Sequence, residues 1–113
     1  MLPLMLKASD ARGSASVFAA LGDTTRLELV SRLGDGKSHS IVQLADGLKL
    51  TRQGVTRHLH VLKRAGVVSC ERMGRESRYT IMPDPITKAR DYLTRASAQW
   101  DEAIERLRAS VEE

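Results

Sequence analysis

From Ile86 to Leu107 the apolar residues Ile86, Ala89, Leu93, Ala96, Trp100, Ala103 and Leu107 follow one another in steps of three and four. That is the 3.5-residue repeat of a helix packed along another helix. Alanine returns every seventh position, at 89, 96 and 103. A line of small residues lets a partner helix come close, while larger residues beside it fill the remaining volume. Asp84 and Pro85 suit the N-cap and first helical positions. The repeat therefore predicts a helix over 84–112, about 40 Å long. A domain of 113 residues does not need such a helix to cover its own core, so part of it is expected to pack on a second copy of the chain. The competing reading packs the whole seam on the first helix of the same chain.

The rest of the composition agrees with a helical protein. Aromatic residues are 4% of the chain, so Leu, Val, Ile and Ala must build the core, which disfavours a β-sandwich. The length fits one domain. Cys70 is the only cysteine, which excludes an intrachain disulfide, a CxxC pair and a multi-thiolate zinc cluster. The apolar N-terminal stretch is broken by Pro3 and ends at Lys7, too short for a signal-peptide core or a membrane span. A soluble, cytoplasmic protein with no membrane partner is expected. The net charge of +4 is unevenly spread: residues 1–50 carry 6 basic and 5 acidic side chains, 51–80 carry 7 and 2, and 81–113 carry 5 and 7. The basic middle points to a polyanion such as nucleic acid, the bland alternative being a solvated face.

Local signals divide the chain into an arm over 1–13 and a single domain over 14–113. A first helix carries Val17, Phe18 and Leu21 on one face and ends at Gly22. Asp23 can cap a second helix through the amides of Thr25 or Arg26, with Leu27, Val30 and Leu33 inward and Gly34 as its stop. Ser40 and Gln43 have the spacing of a capping box. It opens a third helix over about 41–47, with Ile41, Leu44, Ala45 and Leu48 inward. Thr51 caps a fourth helix that buries Val55, Leu59 and Leu62 and stops at Gly66. Two helices joined by so short a turn, over about 40–65, form a helix-turn-helix. The stretches 67–73 and 77–82, separated by Gly74, Arg75 and Glu76, read as a two-stranded hairpin over 67–82 with a basic tip. The fold class is mainly α with a small β-hairpin, a winged helix-turn-helix closed by a long C-terminal helix.

The fourth helix carries hydrogen-bonding and basic residues suited to base edges and phosphates, and a basic hairpin follows it directly. The candidate contacts to double-stranded DNA are Thr51, Arg52, Gln53, Thr56, Arg57, His60 and Lys63 on the helix, and Arg72, Arg75 and Arg78 on the hairpin. Candidate contacts between two copies of the chain are Val17, Phe18, Ala89, Leu93, Ala96, Trp100, Ala103 and Leu107.

The run from Leu50 through Thr51, Arg52, Gln53, Gly54, Val55, Thr56, Arg57, His58, Leu59, His60, Val61, Leu62, Lys63, Arg64, Ala65 and Gly66 to Val68 resembles the recognition-helix signature of ArsR-type winged helix-turn-helix repressors. Ala20-Leu21-Gly22-Asp23-Thr24-Thr25-Arg26-Leu27 resembles the segment that opens the second helix of that family, and Gly74-Arg75 followed by Tyr79 resembles its wing. The resemblance runs from about Val17 to the C-terminus. It implies a homodimer joined through the first and last helices, bound to an imperfect palindrome and blocking transcription. Family members often sense a metal or an oxidant. The Cys-x-Cys pair of one branch has no counterpart in Ile41-Val42-Gln43-Leu44-Ala45-Asp46, and residues 84–113 lack the histidine of another. The resemblance is closest to the branch without metal ligands, whose genes often neighbour those of small hydrophobic-ligand or chaperone-like domains.

Other candidates are weaker. His58 and His60 lie two apart on a helix and point about 200° apart, so one ion cannot take both. His58 is expected at the junction of the second and fourth helices, and His60 towards DNA. Cys70 has no resolving thiol and reads as a packing residue. Nothing around His39, Ser40 and Asp46 supplies an oxyanion hole or a phosphate cradle, so no metal, cofactor or catalytic site is expected. The sequence reads as a homodimeric, DNA-binding repressor that acts by occlusion, with no effector named. A dimeric interaction module that keeps the fold without specific DNA binding is the alternative.

Overall fold

A computed structural model describes residues 8–112, with side chains from residue 11. In chain order the elements are α1 (Ala8–Leu21), α2 (Thr24–Arg32), β1 (His39–Ser40), α3 (Ile41–Ala45), α4 (Arg52–Arg64), β2 (Val68–Met73), β3 (Glu76–Ile81) and α5 (Pro83–Glu112). A 3₁₀ turn over Leu33–Asp35 follows α2. Residues 8–13, expected in the arm, belong to α1. Gly13 sits inside that helix at a cost of about 1 kcal/mol relative to alanine, and burial of Ser14, Val17 and Ala20 outweighs it. The remainder of the expected arm, residues 1–7, lies outside the described residues.

The core forms where α1, α2, α3, α4 and the start of α5 meet. Leu29, Leu33, Leu44, Val55, Leu59, Leu62 and Val67 are fully buried, with Val17, Ala20, Val68, Tyr79 and Ala89 beside them. The expected triplet on α2 is only partly right, because Leu27 is exposed and Leu29 replaces it. Steps of three turn back about 60° each time at about 100° per residue, so the three-step series drifts off the core. The four-step pair Leu29 and Leu33 stays on it.

Each helix boundary has a chemical cause. Asp23 accepts from the Arg26 amide at 3.0 Å. Ser40 and Gln43 complete the capping box in both directions, at 3.2 and 2.9 Å. Thr51 accepts from the Gly54 amide at 3.0 Å. At the end of α4, Gly66 takes φ +80°, its amide bonds to the Lys63 carbonyl, and the Val67 amide reaches back to Leu62. That paired closure needs a left-handed residue at Gly66. The start of α5 is one residue earlier than expected: Pro83 opens the helix and Pro85 lies in its first turn, where the amides that proline lacks have no intrahelical acceptor.

The hairpin pairs Val68 with Ile81 through Met73 with Glu76, leaving Gly74 and Arg75 as its tip. Gly74 has φ +63°, as a two-residue turn with glycine first requires. The sheet has a third strand that the sequence reading missed. His39 and Ser40 pair with Tyr79 and Arg78, giving the antiparallel order β1-β3-β2. Two residues are too few to display an alternation, and Ser40 was legible only as a cap.

The long helix packs on α1, where Phe18 meets Tyr92 with ring centroids 6.4 Å apart. Ala89 and Ala96 are 3% and 2% exposed, because α1 of the same chain occupies the expected small-residue line. Val17 is likewise 3% exposed in the core. These three residues, expected between subunits, have almost no surface left to offer a second chain. Phe18 and Ala103 are half-buried. Leu93, Trp100 and Leu107 remain exposed, joined by Ile104 and Val111.

Two substitutions test this account of stability. Leu59→Ala is expected to cost about 2–5 kcal/mol by deleting fully buried volume, and Gly66→Ala about 1–2 kcal/mol by forcing a Cβ into left-handed backbone. Urea denaturation monitored by helical circular dichroism measures both.

Candidate nucleic-acid interface

The site is built on α4. Its inward residues Val55, Leu59 and Leu62 are fully buried, which fixes the helix about its own axis and turns the opposite side outward. Thr51, Arg52, Gln53, Arg57, His60 and Lys63 are all exposed there, and Arg64, absent from the sequence-based set, is exposed with them. The signal for Arg64 was available, since it lies four residues after His60 on the same helical row. Thr56 is half-buried, and its hydroxyl donates to the Arg52 carbonyl at 2.7 Å. What it presents outward is mainly a methyl group.

Arginines on α2 hold α4 and its neighbours in place. The Arg26 guanidinium donates to the Ala20 and Ala19 carbonyls at the end of α1 and to His58 Nδ1 on α4 at 3.1 Å. His58 also lies 3.8 Å from the Asp23 carboxylate, so it sits at the α2–α4 junction as expected. Arg32 donates to the carbonyls of Leu44, at 2.9 Å, and Asp46 at the end of α3. Both arginines place positive charge on carbonyls left over at helix C-termini, where it is favourable.

The hairpin arginines divide into two kinds. Arg78, expected to face DNA, is turned inward: it donates to the Ser38 hydroxyl at 3.0 Å and the Ser38 carbonyl at 2.9 Å, and pairs with Glu76 at 3.0 Å. Its guanidinium also lies 3.5 Å from Gln43 Oε1, the oxygen used in the capping box. It ties β3 to the entry of α3. Arg75 stands exposed at the tip, and Arg72 is exposed beside it with one bond to the Gly74 carbonyl at 3.3 Å.

Cys70 lies opposite Tyr79 on the paired strands and packs against the core, as a packing residue should. Burial, with Cys70 alongside, pushes the Tyr79 hydroxyl up to about 12, so the phenol stays neutral. Among the described residues no group of three or more His, Cys, Asp and Glu side chains is placed to hold a metal ion. His58 and His60 diverge, one to Arg26 and the other to solvent. No described helix is long and apolar enough to cross a membrane.

A short helix, a tight turn, a second helix with an exposed basic face and a basic hairpin beside it define a winged helix-turn-helix DNA-binding protein. A helix-turn-helix domain family matches residues 21–71. An uncharacterized HTH-type transcriptional regulator from Methanocaldococcus jannaschii is 33% identical over 73 residues, covering 65% of this chain and 82% of that protein. An ArsR-like transcriptional regulator from Rhodococcus sp. RHA1 matches with a TM-score of 0.75 and 34% identity over 90% of this chain and 95% of that one. The transcriptional repressor BigR from Xylella fastidiosa shares the fold, with a TM-score of 0.61 and 22% identity over 76% of this chain and 88% of that chain. The chain belongs to the ArsR family of transcriptional regulators.

The cap of α2 carries a pH dependence. The Arg26 amide, helped by the nearby His58 and Arg26 side chains, holds the Asp23 carboxyl below its ordinary 3.8. Asp23 therefore contributes stability that is present above pH 3.8 and lost as pH falls through the lower folded-state value. Asn can still accept the same amide bond but does not titrate. Asp23→Asn is expected to make Tm fall less steeply than in the parent below about pH 4, read by thermal melts across that range.

Proposed function

We propose that this regulator is a cytoplasmic homodimeric repressor that occupies a palindromic operator and blocks transcription by occlusion. The observation that carries the reading is α4 itself, buried on one side through Val55, Leu59 and Leu62 and exposing Gln53, Arg57 and His60 on the other. In this reading Gln53 and Arg57 meet base edges in the major groove, with His60 beside them. Thr56 adds a methyl contact. Thr51, Arg52 and Lys63 meet the phosphates along the groove walls. Arg75, with Arg72, reaches a phosphate or a narrow minor groove, while Arg78 holds the wing at the angle that allows it.

Dimerisation is assigned to the exposed row Leu93, Trp100, Ile104, Leu107 and Val111 on α5, with Phe18 and Ala103 at its margin. Trp100 is 57% exposed, an unusual position for the largest apolar side chain unless something covers it. A two-fold dimer sets two copies of α4 about 34 Å apart, one helical turn of DNA. The repressor mode is supported by BigR, which shares the fold and is named a transcriptional repressor.

Electrophoretic shift with DNA from upstream of the protein's own gene, against random DNA at matched salt, tests the reading. Preference for the upstream DNA supports it, and equal binding to both overturns it. Arg75→Ala is expected to weaken binding to both DNAs and to lower the slope of log K against log salt by about one charge. An unchanged slope would remove the wing from the interface.

Trp100→Ala is expected to cost about 2 kcal/mol or more of dimer affinity, roughly thirtyfold. Leu107→Glu, at a position still more exposed, should act in the same direction. Sedimentation should show a shift to monomer, and operator affinity should fall although neither residue touches DNA. Variants that stay dimeric would remove α5 from this role, and monomeric variants that bind the full operator as tightly as the parent would overturn the need for a dimer in DNA binding.

A further inference from the structure

We infer that α4 reads each half-site through Gln53, Arg57 and His60 of a single row that Arg64 continues to a phosphate, and that the sequence it selects pairs an adenine, met by Gln53, with a guanine, met by Arg57, one or two base pairs further along the helix. The inference rests on the DNA-binding reading above and adds the identity of the bases.

The row follows from the geometry of α4. At about 100° per residue, Gln53, Arg57, His60 and Arg64 fall within about 60° of one another. The buried residues Val55, Leu59 and Leu62 form an arc of similar width, centred roughly 160° away. The four-residue row is therefore the part of the helix furthest from the core. Arg52, Thr56 and Lys63 lie about a quarter turn to one side. Residues on the crest of a helix lying in the major groove face the floor, where base edges are, and those on its flank face the phosphate walls.

Hydrogen bonding separates the same residues. Arg26, Arg32 and Arg78 are held by carbonyls and hydroxyls of the chain, and Thr56 has given its proton to a carbonyl. Gln53, Arg57, His60 and Arg64 make no hydrogen bond or ion pair with any described residue. They are exposed donors and acceptors at the crest of a helix whose other side is immobilised, so contacting a base breaks no internal bond.

The chemistry of each residue then selects its base. A glutamine amide offers one donor and one acceptor, matching the N7 acceptor and N6 donor of adenine, and a guanidinium offers two parallel donors, matching O6 and N7 of guanine. His60 can donate one N–H to a purine N7, which adenine and guanine share, so it favours a purine without choosing between them. Gln53 and Arg57 are about 6 Å apart along the axis, and Arg57 and His60 about 4.5 Å. Base pairs are stacked about 3.4 Å apart, so each step advances one to two base pairs. Arg64, another 6 Å or so on, lies where a straight helix leaves a curving groove, and meets a phosphate.

Selection of binding sites from a random DNA pool, using the full chain and its Gln53→Ala, Arg57→Ala and Arg57→Lys variants, tests this. The parent should select a motif with the adenine and guanine one or two positions apart. Gln53→Ala should lose the adenine preference and keep the guanine, Arg57→Ala should do the reverse, and Arg57→Lys should retain part of the guanine preference. Each alanine change should weaken binding to the parent motif by about tenfold and binding to random DNA far less. These side chains are exposed and unbonded, and thermal melts matching the parent would exclude misfolding as the cause. A parent motif without the adenine–guanine pair, or variants that keep the parent's preferences, would overturn the base assignment while leaving the DNA-binding reading intact. A parent that binds no DNA would overturn both.

Discussion

The structure depends first on the burial of three aliphatic side chains on one helix. Val55, Leu59 and Leu62 enter a core already lined by Leu29, Leu33 and Leu44, and a helix held at three points along one side cannot roll. Its other side is then defined as a surface, which turns a string of polar residues into a directed set of donors. The hairpin inherits the same reference frame. Gly66 closes α4 and delivers the chain within one residue to Val67 and Val68, both buried against the same core. Wing and reader helix are therefore two parts of one rigid arrangement.

Positive charge has two separate uses in this molecule. The segment 51–80 carries seven basic residues against two acidic ones, yet Arg78 among them is committed to the chain itself. Arg26 and Arg32, outside that segment, bind the ends of α1 and α3. A guanidinium with five fixed donors suits this work, because several carbonyls at a helix end converge on one place. The other cations of that segment lie on the crest and flank of α4 and on the hairpin. The surface available to a polyanion is thus narrower and better directed than the net charge suggests.

The long helix shows a similar division. Its small residues, Ala89 and Ala96, admit α1 of the same chain, while Leu93, Trp100, Ile104, Leu107 and Val111 stay exposed. The helix spans 30 residues against 14 for α1, about 45 Å against about 21 Å, so its last turns extend past anything α1 can cover. Intrachain packing takes up the small residues of the heptad pattern and leaves its larger apolar residues on the surface.

Local signals were legible wherever the cause was local. Asp23, Ser40 with Gln43, and Thr51 act on amides within three residues of themselves, so their caps could be read from spacing alone, as could the buried set on α4 and the two main strands of the hairpin. The sequence likewise determined the exposed chemistry of α4, since the residues opposite an apolar row must face away from it. Tertiary structure decided the rest. Whether Ala89 and Ala96 would meet α1 or a second copy depended on how α1 docks. Pairing of His39 and Ser40 with β3 brings together residues about 40 positions apart. The inward turn of Arg78 depends on that pairing, which places Ser38 beside it. A contact whose partner is distant in the chain leaves no period or spacing near either residue, so no local pattern could have announced it.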